Sequence, residues 1–117
     1  MPPFATLFTD EFEGVPSVML HYDFKWDPAK ERSNRTKHGI GFEHAATVFR
    51  DPRALTIFDD THSETEERWV TLGISSSGRL LVVHHTFRKA AANRAEIRII
   101  SSRKATRNET MQYGESR

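Results

Sequence analysis

From Leu20 to Trp26 apolar and polar residues alternate strictly, and at Asp27-Pro28 the alternation stops. Side chains of a strand point to opposite faces in turn, so Leu20, Tyr22, Phe24 and Trp26 form one apolar side of an extended segment. A strand with an aromatic face must bury it. Asp27-Pro28 then marks a helix start: Asp is a good N-cap, and proline at the first helical position gives up no hydrogen bond. The helix runs to His38, where Gly39 supplies the stop. Lys30, Asn34 and Lys37 or His38 recur at helical spacing and share one face. With few large apolar groups, much of this helix is either wet or covered by a partner.

A second helix begins near Phe42, because Phe42, Ala45, Ala46 and Phe49 keep the spacing of a core-facing stripe. It ends near Asp51-Pro52. "ALTIFDD" reads as a strand and "DTHSETEE" as a polar loop. "RWVTLGIS" and "RLLVVHHTFR" are strands joined by the turn "SSSG". "KAAANRA" reads as a basic loop or a helical nub, and "EIRIISS" as a further strand. "RKATRNETMQYGE" closes the chain as a short helix, with Thr106 and Glu109 at capping-box spacing. The order β-α-α-β-β-β-β-α is that of an α+β domain with a mostly antiparallel meander. The 117 residues, 37% of them hydrophobic, suffice for one modest core. Residues 1–20, broken by Pro2, Pro3, Gly14 and Pro16, read as a loose acidic extension, which leaves 21–117 as the domain.

The formal net charge is only +1, but the charges are segregated. Asp10, Glu11, Glu13 and Asp23 precede any Lys or Arg. A second acidic block, Asp59, Asp60, Glu64, Glu66 and Glu67, stands against Arg88, Lys89, Arg94, Arg98, Arg103, Lys104 and Arg107. Phosphate binding follows local basic density, so the distribution admits a nucleic-acid face that the sum does not suggest; solvated charged faces are the plainer explanation. There is no cysteine, hence no disulfide and no thiolate metal site, which fits a reducing, cytoplasmic setting. No apolar run spans a membrane, and the first residues lack the pattern of a signal peptide.

Several short motifs in series carry a more specific signal. "FKWDPAKERSNRTKHGIGFEHAATVFRDP", "ERWVTLGIS", "RLLVVHHTFR" and "IRIISSRKATRNE" together resemble the BrnT toxins of bacterial type II toxin–antitoxin pairs, over residues of about 22 to 115. The resemblance implies a RelE-like fold, with two N-terminal helices packed on an antiparallel sheet and a short C-terminal helix. It implies RNA cleavage that inhibits translation, without a cofactor. It also implies a BrnA-like ribbon-helix-helix antitoxin as partner. DNA would then be met only through the antitoxin complex, and a homodimer within that complex is compatible with it.

Metal-free RNA cleavage needs a base for the 2′-hydroxyl proton, cations for the phosphate and an acid for the leaving oxygen. Lys37 and His38 end the first helix, where cations are favoured; they are candidates for catalysis or simply cap the last carbonyls. Arg68 shares parity with Val70, Leu72 and Ile74, so it is either a phosphate clamp or the partner of a nearby acid. Glu67 is a candidate base or an arginine partner. His84 and His85 are adjacent on a strand and point to opposite faces, so they cannot serve one site together; one of them is a satisfied core or interface residue. With no cysteine and no paired histidine spacing, no metal site is expected. Arg88, Arg98, Arg103 and Lys104 are candidate RNA contacts. Tyr113 either stacks on a base or anchors the last helix. Against the ribonuclease stands a non-catalytic RNA- or protein-binding module that keeps the same fold.

Overall fold

The computed structural model describes residues 21–115, so the acidic extension assigned to residues 1–20 lies outside the described residues. Strand β1 (His21–Trp26) alternates exposed and half-buried residues, as its pattern requires. Helix α1 (Pro28–His38) starts where Asp27 Oδ1 accepts the Ala29 N–H at 2.8 Å. It stops at Gly39, whose φ of 71° is a left-handed conformation that glycine adopts without a Cβ penalty. The second helix is shorter than its apolar stripe suggests. One α turn, α2 (Phe42–Ala45), tightens into a 3₁₀ segment over Ala46–Arg50. The Thr47 hydroxyl donates to the His44 carbonyl at 2.7 Å within this stretch, a local side-chain bond of the kind that competes with a regular ladder.

The strands are β2 (Leu55–Phe58), β3 (Trp69–Ile74), β4 (Leu80–His85), β5 (Arg88–Ala91) and β6 (Arg94–Lys104), followed by α3 (Arg107–Glu115). They form one sheet in the order β1-β6-β4-β3-β2, with β5 also on β6. Two expectations are corrected. The sheet is mixed rather than antiparallel, because β1 pairs with β6 in parallel, Tyr22 opposite Ala95 and Trp26 opposite Ile99. The segment "KAAANRA" is neither loop nor helix; it holds the end of β5, a turn and the start of β6. β4 shifts register at His84/His85, and the Thr86 N–H still donates to Arg98 O at 2.9 Å, so the chain stays on β6 and continues as β5. The described chain also begins with a strand, so β1 precedes the helical layer.

Cross-strand partners share a face, and the two faces differ. On the first lie Tyr22, Phe24, Trp26, Leu81, Val83, Ile97 and Ile99, covered by Ile40, Phe42, Ala45, Val48 and Phe49. Gly73 permits this approach, since a Cβ there would meet the Val48 carbonyl oxygen at 3.2 Å. On the second face Leu55, Val70, Leu72 and Val82 form a smaller cluster, covered by Ala105 and Tyr113. The strands β1, β2, β3, β4 and β6 therefore bury their apolar sides against one of two cores, in the order the alternation dictates, while β5 stays exposed.

Two polar arrangements inside the domain have defined jobs. β1 ends opposite Ile99, which leaves the rest of that β6 edge without a strand. Buried Asn34 occupies it: the Ser102 N–H donates to its Oδ1, and its Nδ2 donates to Ile40 O, both at 3.0 Å. The face that Asn34 shares with His38 is thus partly inward rather than wet. Leaving either backbone group unpaired in a buried place costs about 1–3 kcal/mol.

The second arrangement is a chain from Thr56 through Thr71 to His85. The hydroxyls lie 2.8 Å apart, Thr71 Oγ1 lies 2.7 Å from His85 Nε2, and His85 Nδ1 lies 2.9 Å from Thr86 O. A carbonyl only accepts, so Nδ1 carries the proton. Burial pushes the fully enclosed ring down to about 4, so it is neutral and Nε2 accepts from Thr71. Thr71 must then accept from Thr56. The folded ring protonates only well below the ordinary value, so the unfolded chain binds more protons between the two, and stability is lost as pH falls through that window. We expect unfolding free energy in urea to fall by up to about 3 kcal/mol more, between about pH 7 and pH 4, in the wild type than in His85→Gln. Equal pH slopes for the two would show that the ring is not held neutral.

Candidate active site

The charged half of the second face is built by strand parity. Asp23 and Lys25 on β1, Glu96 and Arg98 on β6 and Arg88 on β5 alternate with core residues of the first face. Arg68 lies just before β3 with the parity of Val70, and the Asp59 N–H donates to its carbonyl at 2.8 Å, which extends the β2–β3 ladder by one step. His84 pairs with Val70 and with Ser101. Arg68, His84 and Arg98 therefore share one open face, beside the cluster that α3 covers.

The acidic and basic blocks of the sequence meet here. Glu66 Oε1 is bound by Arg98 and lies 3.5 Å from Arg68 Nη2, so one carboxylate serves two guanidinium groups. Glu96 takes Lys25 at 2.9 Å and Arg88 at 3.1 Å, and these cations hold its carboxyl below the usual carboxylate range. Arg94 lies 3.6 Å from Asp23. Arg103 makes a bidentate pair with Glu109 at 2.8 and 2.9 Å, and Glu109 also accepts the Thr106 N–H at 2.8 Å. The Arg103 bonds, with help from Thr106, hold the Glu109 carboxyl down to about 2. The capping box is completed by the Glu109 N–H donating to the Thr106 hydroxyl at 3.2 Å.

His84 is half-buried. Burial, and then the nearby Arg103 charge, push its pKa below the ordinary value, while Asp59 works against them. A neutral imidazole at neutral pH is a proton acceptor. Arg68 also has a buried Nε without a hydrogen-bond partner. Among the described residues no group of three or more His, Asp or Glu is placed to hold a metal ion.

The residues singled out in the sequence fall into two groups. Arg68, Arg88, Arg98 and Arg103 share the second face, each paired with a carboxylate. Tyr113 packs against the second-face cluster, and its hydroxyl donates to Asp51 Oδ2 at 2.5 Å, so it anchors α3. Lys104 is exposed and pairs with Leu81, which gives it the parity of the first face. Glu67 is exposed with the opposite parity to Arg68, and its neighbour Glu66 holds the arginines instead. Lys37 and His38 end α1 on the side that leads to Ile40 and Phe42 in the first-face core. Among the described residues no hydrogen bond or ion pair joins either side chain to Arg68 or to its partner Glu66. Three residues not assigned a role in the sequence stand in the site: Glu66, His84 and Asp59. His84 was legible from parity; the loop residues were not, because no period governs them.

Residues 26–109 match the family model described as "Ribonuclease toxin, BrnT, of type II toxin-antitoxin system". No curated protein matches this chain. Among solved structures, the chain is similar to the Brucella abortus ribonuclease toxin BrnT at 20% identity. That match covers 74% of this chain and 99% of the other, with a TM-score of 0.48.

An exposed ion pair is worth about 0–1 kcal/mol, so Glu66 is easily displaced by a phosphate that can bind two guanidinium groups. Glu66→Gln should tighten binding of single-stranded RNA by about 3- to 10-fold at low salt, with an unchanged melting temperature. Such a gain is of the size one removed like charge supplies near a surface. Equal affinities measured by fluorescence anisotropy would show that Glu66 does not occupy the phosphate position.

Proposed function

The chain belongs to the BrnT family of ribonuclease toxins of type II toxin–antitoxin systems, and from that premise we propose that it cleaves RNA on the open second face of its sheet and thereby inhibits translation. The observation that carries the proposal is the convergence of Arg68 and Arg98 on one carboxylate, beside half-buried His84. Two guanidinium groups on one anion are the arrangement a scissile phosphate requires as charge grows on it. The chemistry is metal-independent in this reading, and the base, acid and clamps are side chains of the protein. The helical layer on one face and α3 on the other support a RelE-like arrangement. A BrnA-like ribbon-helix-helix antitoxin neutralises the toxin in the cytoplasm, with DNA contacted only through the complex and a homodimer of the toxin within it. Of the acidic extension assigned to residues 1–20, residues 1–18 are dispensable to the domain of 21–117.

A non-catalytic RNA- or protein-binding module is the second reading, favoured by one observation: the arginines of this face already hold carboxylates. Lys37, His38 and Glu67, which the sequence puts among the catalytic candidates, are kept as a separate arm of the test. Expression without the antitoxin, with mapping of RNA ends, separates the readings. Wild type and His38→Gln should be compared with Arg68→Ala, which should lose growth arrest and about 100-fold or more in cleavage while melting normally. Full toxicity in a folded Arg68→Ala would remove Arg68 from the site. Loss of cleavage in a folded His38→Gln would move the acid to the end of α1.

A further inference from the structure

His62 and His84 come from different parts of the chain, yet both direct Nδ1 at the same atom. His62 Nδ1 lies 2.9 Å from Asp59 Oδ2, a hydrogen bond. His84 Nδ1 lies 3.9 Å from the same oxygen, an ion-pair distance. The carboxylate therefore orients the His62 ring through a hydrogen bond and stands as a nearby charge to Nδ1 of His84, with Nε2 of each ring left for other partners. Asp59 itself is fixed by backbone bonds: its N–H donates to Arg68 O at 2.8 Å, and its carbonyl accepts the Ser63 hydroxyl at 2.5 Å. The Ser63 hydroxyl in turn accepts the Arg68 N–H at 3.0 Å. The loop that presents His62 is thus tied to the residue that clamps the phosphate.

The two rings differ in surroundings. The His62 side chain is 61% exposed and that of His84 28%. His84 faces Asp59, His62, Arg103 and Glu109. His62 faces Asp59 at the end of β2 and His84 on β4. One ring is thus exposed on a carboxylate and the other sheltered beside an arginine, the two meeting at Asp59.

We propose that His84 and His62 are the general base and general acid of RNA cleavage, with Asp59, which holds His62 and faces His84, as the positioning residue between them. The assignment rests on the ribonuclease reading of this face. The 2′-oxygen attacks phosphorus while its proton passes to Nε2 of neutral His84. The bond from phosphorus to the 5′-oxygen breaks, and that oxygen takes the proton from Nε2 of the His62 imidazolium. The products are a 2′,3′-cyclic phosphate and a 5′-hydroxyl. Proton exchange with water restores both rings.

The test uses the full chain and a long single-stranded RNA of mixed sequence, in single turnovers from pH 5 to 9. Wild type should give a bell-shaped profile with 5′-hydroxyl and cyclic phosphate ends. His84→Gln and His62→Gln should each lose about 100-fold or more in rate, the first flattening the acidic limb of the profile and the second the alkaline limb. Asp59→Asn keeps the backbone bonds; it should lower the rate and shift the limbs of the profile without weakening RNA binding. Wild-type rates in either folded histidine variant, or fragments with 5′-phosphate ends, would overturn the assignment while leaving the ribonuclease reading in place. A wild-type chain that binds RNA and cleaves it at no pH would overturn both.

Discussion

Everything in this domain depends on β6 being paired on both edges. Along its first half it carries β1 in parallel on one side and β5 on the other; along its second half it carries β4. Its alternation then divides the protein. Ala95, Ile97 and Ile99 enter the first-face core, and Glu96 and Arg98 go to the open face. A shift of one residue in this register would bury the charges and expose the isoleucines, so the pairing is specified by the cost of that exchange. Asn34 completes it. Where β1 runs out, a side-chain amide supplies the donor and acceptor of a missing strand and ties α1 to the sheet.

The electrostatics derive from that division. The acidic block around Glu66 and the basic block along β6 look like separate surfaces in the sequence, yet the fold lays the first over the second. Exposed pairs of this kind contribute little to stability. Their value lies elsewhere: they keep a dense cluster of guanidinium groups from repelling itself, and they can be exchanged for phosphate at small cost. The near-neutral sum of charges is therefore compatible with a phosphate-binding face.

Much of the fold was legible because it rests on local rules. The alternation of Tyr22, Phe24 and Trp26, the Asp27-Pro28 start, the Gly39 stop and the Thr106–Glu109 capping box all recur in the structure. The parallel pairing of β1 and the strand character of Arg88–Ala91 were not, because both are consequences of a partner strand far away in sequence. The same distinction holds at the site. Parity put Arg68 on the second face, but it could not say that Glu66, rather than Glu67, would turn toward it. The loop from Asp59 to Arg68 has no period, and its shape is set by the Ser63 bonds to Asp59 and Arg68.

The second face would be a poor site if all of it were open. Its apolar half, Leu55, Val70, Leu72 and Val82, must be covered, and α3 does this through Tyr113. The hold on α3 is polar at both ends. Arg103 grips Glu109 in its first turn, and Asp51 accepts the Tyr113 hydroxyl in its last while accepting the Ile74 N–H at 2.9 Å. Arg103 thus acts twice, since the guanidinium that holds the helix is also a charge that, after burial, pushes the His84 pKa down. The docking of the last helix and the electrostatics around His84 are in this way coupled through one side chain. Loosening α3 would expose the apolar cluster and alter the charge beside His84 in the same step.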